Sequence, residues 1–387
     1  MKEKIYVFDD EEQFSREWVN RLEKVVPEQF ELIEINPPQF VEMIHELTSR
    51  QQLNSSEKYN KIELDEVSIF FIDYRLINPQ KKIYTTGEEA AYLIRCFSKC
   101  NLIIGLNQFS ENEFDLTLKG HPESYCDINL GSDQLDNVGL WKTDGWDFRP
   151  WYWPMIPDFL SSFKEKVERV KKVLFDEAIT SVLQLEDIIK KTPRDVTGFL
   201  GNDPVRFTFH DFIMQSGNGL KLKDKQDDIE ILANIAVSRV SKWIERCILP
   251  GQNFFVDAPH LVSRFPSLLD GDRKNVETWN RTTKFSEENE LGITHDIIKD
   301  NIYTEKNWVS RRVWLWEEVS SNYEISEIKE PWKRDVVNYR FCEDNSSFLE
   351  KTDCREFIIS SKSPWNRRYL RRVPYEGVDY RPRTFLL

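Results

Sequence analysis

Lys4-Ile-Tyr-Val-Phe-Asp-Asp-Glu-Glu12 and Ser68-Ile-Phe-Phe-Ile-Asp-Tyr-Arg-Leu76 are the stretches whose reading decides the fold. Each is a run of β-branched and aromatic residues that stops at a carboxylate. A run without polar alternation is the pattern of a strand buried on both faces, as in a parallel sheet. The acids fall at the C-terminal ends of these strands, where open α/β sheets place their ligand sites. Two such strands lying side by side bring Asp9, Asp10 and Asp73 together. Three clustered carboxylates repel unless a proton or a cation relieves them. Hard oxygen ligands of this kind suit Mg²⁺, which keeps several waters and takes one or two carboxylates.

The surrounding chain alternates in the same way. A strand over 4–10 leads to a helix over 11–26, where Phe14, Trp18, Leu22 and Val25 recur at helical spacing. A strand over 30–36 precedes a helix opened by Pro37-Pro38, residues suited to a first turn. After the strand over 67–73 come a long loop, a helix from Gly87 to Cys100, and strands over 101–108 and 125–130. Strand–helix alternation predicts a doubly wound, five-stranded parallel sheet with right-handed crossovers over residues 1–140.

This pattern resembles the receiver domain of two-component response regulators. The resemblance implies that Asp9 and Asp10 match the family's Mg²⁺-binding pair and that Asp73 matches the phosphoacceptor, with all three around the metal. Tyr74-Arg75-Leu76 and Gly87-Glu88-Glu89 fit the same stretch, although the loop between Asp73 and Gly87 is longer than in most receivers. Two positions depart from the family. Its fourth strand ends in Thr or Ser, whereas Leu102-Ile-Ile-Gly-Leu-Asn-Gln108 puts Asn107 at that switch position. Its fifth strand is followed by Lys-Pro, whereas Tyr125-Cys-Asp-Ile-Asn-Leu-Gly-Ser132 contains no lysine, and Lys119 and Lys142 lie elsewhere. An acidic pocket without its switch residues suggests a degenerate receiver serving as a binding platform. An unrelated doubly wound domain with acidic strand ends is the plainer alternative.

The 387 residues exceed one ordinary core and predict two or three domains. Trp141 to Pro157 breaks the rhythm with aromatics and prolines that cannot continue a helix. It reads either as an aromatic anchor for a partner or, preferably, as a seam whose rings are buried. Residues 158–387 read as a mostly helical α+β region. Helices are expected from Asp158 toward Lys191, from Asp227 to Cys247 and over roughly 304–319, with strands over 336–342 and 356–360.

No apolar run approaches the ~20 residues of a membrane span. The N-terminus lacks the apolar core of a signal peptide. Six scattered cysteines fit reduced thiols and hence a cytoplasmic setting; Cys96 and Cys100 read as small buried hydrophobes. A net charge of -13 disfavours a general nucleic-acid binder. Residues 331–387 nevertheless carry +4 as a separate basic tail. There Arg367, Arg368, Arg371 and Arg372 interleave with Trp365, Tyr369 and Tyr375, and on a helix the arginines would stack four apart. Such a face suits phosphates and bases, or docking against the acidic remainder or a protein partner, which the overall sign favours.

Other constellations are weaker. His210-Asp211 and His295-Asp296 resemble the His-Asp pair of all-helical metal phosphohydrolases, but adjacent His and Asp arise easily among 66 acidic residues. Cys342 beside Glu343 and Asp344 lacks the cationic setting of a nucleophile, and Asp344 or Asn345 reads as a turn cap. No phosphate-binding glycine loop or nucleophile elbow is present. The expectation is therefore a non-enzymatic regulatory or adaptor protein. From the family resemblance, its setting is bacterial signalling or anti-phage defence. The alternatives are a response regulator phosphorylated at Asp73 and a nucleic-acid-acting effector enzyme.

Overall fold

A computed structural model describes residues 2–53, 60–107, 124–142, 151, 154–189, 197–200, 203, 205–215, 228–283, 292–293, 303, 308–309, 311–321, 338–358 and 367–373. The chain divides into two compact units, residues 1–145 with 155–242, and residues 146–154 with 243–387.

The first unit is built on strands β1 (Glu3–Phe8), β2 (Phe30–Glu34), β3 (Val67–Asp73), β4 (Leu102–Asn107) and β5 (Ile128–Gly131). They form one sheet in the order β2-β1-β3-β4-β5, and every pairing is parallel. All seven residues of β3 are buried, as its unbroken apolar run requires of a central strand. Helices α1 (Glu12–Leu22), α2 (Pro37–Gln52) and α3 (Gly87–Phe97) connect the strands. Helix α2 begins with a reciprocal cap: Asn36 accepts from the Gln39 N–H, and the Gln39 side chain accepts from the Asn36 N–H. Thr86 and Glu89 do the same for α3. Helix α2 then places Phe40 flat on Phe8, with ring centroids 3.8 Å apart.

Helices α4 (Ile156–Val173) and α8 (Ile229–Lys242) complete this unit. Between them lie the short helices α5 (Ile179–Val182), α6 (Glu186–Ile189) and α7 (Phe209–Gln215). Nearly all of α8 from Ile231 to Lys242 is buried, the condition of a helix surrounded by protein. Buried charges fix it to the lead-in of β5. Arg95 pairs with Asp127 at 2.5 Å, and Asp127 also accepts from Ser238 of α8 at 2.5 Å and from the Ile103 N–H at 2.8 Å. The Lys242 ammonium donates to the carbonyls of Cys126, at 3.1 Å, and Ser124. Each ion thus has the partners that burial demands.

Three helix expectations need correction. The helix from Asp158 ends at Val173 rather than near Lys191. The next residues pair with 207–210 instead: the Ile179 N–H donates to the Phe207 carbonyl and the His210 N–H to that of Leu174. Among the described residues of the segment over 304–319, the α-helix runs from Trp316 to Ser321 (α11). Before it, Val313–Leu315 forms strand β7, antiparallel to β6 (Phe255–Asp257). Val313 and Trp314 bury themselves against that neighbour as β-branched and aromatic residues do. The third correction is the tail: Arg367–Arg371 is strand β11, not a helix. It lies in the second unit within a sheet of order β10-β11-β8-β9, with β8 Tyr339–Cys342, β9 Ser347–Glu350 and β10 Cys354–Ile358.

Helices α9 (Ala258–Arg264) and α10 (Val276–Asn280) complete the described α-helices of that unit, which opens with a π-helical stretch over Trp243–Ile248. Of the aromatic seam, Trp141 is buried in the first unit and Trp151 in the second. Among the described residues, no helix is long and apolar enough to cross a membrane.

Candidate functional site

The register that pairs Phe8 with Ile72 makes Asp9 and Asp73 emerge side by side at the C-terminal edge of the sheet. Asp9, Asp10 and Asp73 are all buried. Burial, then the charge of Asp73, pushes the Asp9 carboxyl up to about 7, although the Glu11 N–H donates to it at 2.7 Å. Burial likewise pushes Asp73 up to about 6, with the charge of Asp10 adding to it and the Arg75 N–H, at 2.9 Å, opposing. As pH falls through about 7, protonation of Asp9 is therefore the pocket's first remedy for repulsion.

The β3–α3 loop supplies two further partners. The Asn78 amide donates to Asp10 Oδ2 at 2.7 Å. The Lys81 ammonium donates to the Asp10 carbonyl at 2.5 Å and lies 3.3 Å from Glu11 Oε2. The loop is tied down by paired hydrogen bonds between Asn78 and Ile83, of 2.9 and 3.0 Å. A cation thus reaches the acidic edge from a segment the sequence marks only as an unusually long loop.

Gly87 lets α3 begin against the pocket. A Cβ there would lie 2.1 Å from the Asp73 carbonyl oxygen, and the Gly87 N–H donates to the Tyr74 carbonyl at 3.0 Å. Tyr74, buried, turns its ring across β4: a Cβ at Gly105 would lie 2.5 Å from its Cε2. Its hydroxyl donates to Asn129 Oδ1 on β5 and lies 3.4 Å from Ser124 Oγ. Ser124 in turn donates to Glu88 of α3 at 2.9 Å. This chain of contacts crosses β4 and β5 beside the phosphoacceptor-like residue. Asn107, at the end of β4, is paired in register with Gly131.

The three carboxylates each have an oxygen committed to a protein N–H. Among the described residues, no group of three or more His, Cys, Asp or Glu is arranged to hold a metal ion.

The tail arginines separate. Arg368 is buried: it pairs with Glu343, donates to the Pro250 carbonyl at 2.5 Å, and sets its guanidinium 4.9 Å from the Trp151 ring centroid. Arg372 is exposed, and Arg371 is half-buried with its N–H on Asp344. Arg367 opens β11 opposite Ile358, and Trp365 lies outside the described residues.

The Arg368–Glu343 pair belongs to a cluster the sequence did not single out. His260 Nδ1 lies 2.6 Å from Asp257 and Nε2 lies 3.3 Å from Glu343. Burial opposes a charged imidazole, but the two carboxylates hold His260 above its ordinary value and are themselves held low. The peptide of Trp151 is fixed between the Glu343 carbonyl, at 2.9 Å, and Arg311. Asp257 three residues before His260, as an N-cap, was the one signal of this cluster in the sequence. Asp211 completes a capping box at the start of α7: the Thr208 hydroxyl accepts from the Asp211 N–H at 3.0 Å, and the Asp211 carboxylate accepts from the Thr208 N–H and hydroxyl at 3.1 and 2.8 Å, which gives Asp211 a structural role. His121, His295 and Asp296 lie outside the described residues.

Comparison with protein-family models, with curated proteins and with solved structures finds no match to this chain.

Proposed function

We propose that this chain is a non-enzymatic regulatory or adaptor protein whose first unit is a degenerate, receiver-like platform for a protein partner. The strand order β2-β1-β3-β4-β5 is the one used by flavodoxin-like doubly wound sheets, receivers among them. The observation that carries the reading is Tyr74. A phospho-switch needs a second arrangement for its elements to move into. Here the ring of the residue following Asp73 fills the space over Gly105 and is hydrogen-bonded to Asn129. The groove between α2, the β3–α3 loop and α3, lined by Phe40, Ile44, Ile83, Tyr84, Tyr92 and Leu93, supports the platform role. Tyr84 and Ile77 on that loop are exposed at 73% and 60%, which suits an apolar partner surface. Mg²⁺ binds weakly in this reading, because it must displace Asn78 from Asp10.

A working response regulator is the second reading, favoured by the meeting of Asp9, Asp10 and Asp73 at one sheet edge. Nucleic acid is disfavoured as a partner, since Arg368 is committed to Glu343. Hydrogen exchange of the whole chain with Mg²⁺ and beryllofluoride, which mimics an aspartyl phosphate, separates these readings. The platform reading expects unchanged protection in β4, β5 and α3. Protection that shifts there in wild type but not in Asp73→Asn would put the response regulator first.

A further inference from the structure

Cys342 ends β8 and Cys354 opens β10, on the two strands that flank β11. Both side chains are buried, yet their sulfurs lie 3.4 Å apart, in van der Waals contact. Cys354 is the nearer to solvent: it is 5% exposed against 0% for Cys342. Its neighbours Asp353 and Arg355 are both exposed. Its sulfur also lies 3.2 Å from the Glu350 carbonyl, which holds it beside the turn from β9 to β10.

We propose that Cys342 and Cys354 are a redox modification site, a dithiol that a small-molecule disulfide oxidises to an internal disulfide. The Cys354 thiolate attacks one sulfur of the oxidant, forming a mixed disulfide and releasing one reduced thiol. Cys342, in contact, then loses its proton and attacks Cys354 Sγ. The protein disulfide forms and the second small thiol leaves. Two electrons pass from the protein to the oxidant, and no other reactant is needed.

The roles follow from the surroundings. Cys354 is the nearer of the two to solvent and lies under the charge of the cationic Arg340, so Cys354 is the attacking group. Cys342, fully buried and in contact with the Cys354 sulfur, is the resolving partner. The contrast within the chain is Cys96 and Cys100, also buried, whose thiols burial pushes up to about 12. Closing the bond ties β8 to β10 around the strand that carries Arg368, fastening the sheet that holds the Glu343–Arg368 pair.

The test treats the folded full-length protein with oxidised glutathione, quenches with acid, alkylates and maps peptides. The expected result is a cross-linked pair of peptides containing Cys342 and Cys354, two hydrogens lighter than the sum of the reduced peptides, with Cys96 and Cys100 still alkylated. β11 amides should then exchange more slowly in the oxidised form. In Cys342→Ala the glutathione adduct on Cys354 should accumulate instead of closing. Should that variant fail to fold, a time course on wild type decides, since the same adduct must appear and then decay into the cross-link. Full alkylation of both cysteines after oxidant, or a Cys354 adduct in wild type that never closes, overturns the proposal.

Discussion

Replacing Asp9 by Asn tests whether the acidic pocket is strained at neutral pH. In the folded chain Asp9 titrates at about 7 against an ordinary value of 3.8, and Asp73 at about 6. Both values are raised, so the folded state binds protons more tightly than the unfolded one. The resulting stability is full below the unfolded values and is lost as pH rises through about 6 and then about 7. Between pH 5 and pH 8, Asp9 crosses about two pH units of this window and Asp73 about one. At roughly 1.4 kcal/mol per unit this amounts to about 4 kcal/mol, and to about 3 kcal/mol once the repulsion shared by the two groups is counted once. The assay is native-state hydrogen exchange of the peptides spanning β1 and β3, corrected for the intrinsic pH dependence of exchange. It reads this edge of the sheet without interference from the second unit. Wild type should lose protection from pH 5 to pH 8. Asp9→Asn should lose much less and be the better protected of the two at pH 8. The Asn side-chain oxygen still accepts the Glu11 N–H, so the turn itself is preserved. Wild-type protection that stays flat across this range, or an equal loss in Asp9→Asn, would refute the buried-repulsion account.

Three further outcomes follow from the packing. Asn78→Ala should enlarge the rise in thermal midpoint produced by millimolar Mg²⁺, because the amide no longer competes for Asp10; an equal or smaller rise would mean that Asn78 does not guard the site. Arg95→Met should cost the first unit about 3–5 kcal/mol in denaturant unfolding, the typical loss when one partner of a buried pair is removed, and a loss below about 1 kcal/mol would show that Asp127 finds relief from Ser238 and the Ile103 N–H alone. Arg368→Ala should destabilise β8 and β11 by about 3–5 kcal/mol in exchange measurements while Arg372→Ala changes them by less than about 0.5 kcal/mol; similar effects of the two would remove the distinction between a buried and an exposed arginine.

The parallel core was legible because β3 has no polar alternation and because Pro37 and Gly87 mark where helices start. The meeting of Asp9 with Asp73 was legible for the same reason, since strand ends and carboxylates coincide. What closes the pocket was not. Lys81 and Asn78 sit in a loop whose path is set by its pairing with Ile83, a contact without periodicity. Tyr74 follows Asp73 directly, and only the absence of a side chain at Gly105 tells its ring where to go. The tail misled because arginines four apart share a face on a helix and, the spacing being even, on a strand too. Pairing with β10 decided between them. The Asp257–His260–Glu343 cluster joins residues 83 apart in sequence, and nothing local announces such a contact.

Buried carboxylates are treated in two ways along this chain, and the contrast argues for where function lies. Arg50 grips Asp65 with hydrogen bonds of 2.9 and 2.6 Å and holds it low against the upward push of burial. In the second unit, His260 and Arg368 hold Asp257 and Glu343 low against the same push. A chain of net charge -13 has placed cations where unpaired burial would cost most. At Asp9 and Asp73 burial wins instead: backbone N–H groups, and at Asp73 the Arg75 charge, lower these carboxyls, yet both stand raised. Asn78 and Lys81 serve Asp10 and Glu11, while Asp9 accepts from the Glu11 N–H and Asp73 from the Arg75 N–H. Stability alone would favour an arginine or an apolar residue there, as it does at Asp65 and Asp127. Carboxylates left to repel at the ligand-binding edge of a sheet are a cost that a site bears and a core does not. In the platform reading proposed above, the Asp9–Asp73 edge is where a proton, a cation or a partner's positive group has the most to gain by binding, and Tyr74 keeps that gain from being passed on to the rest of the sheet.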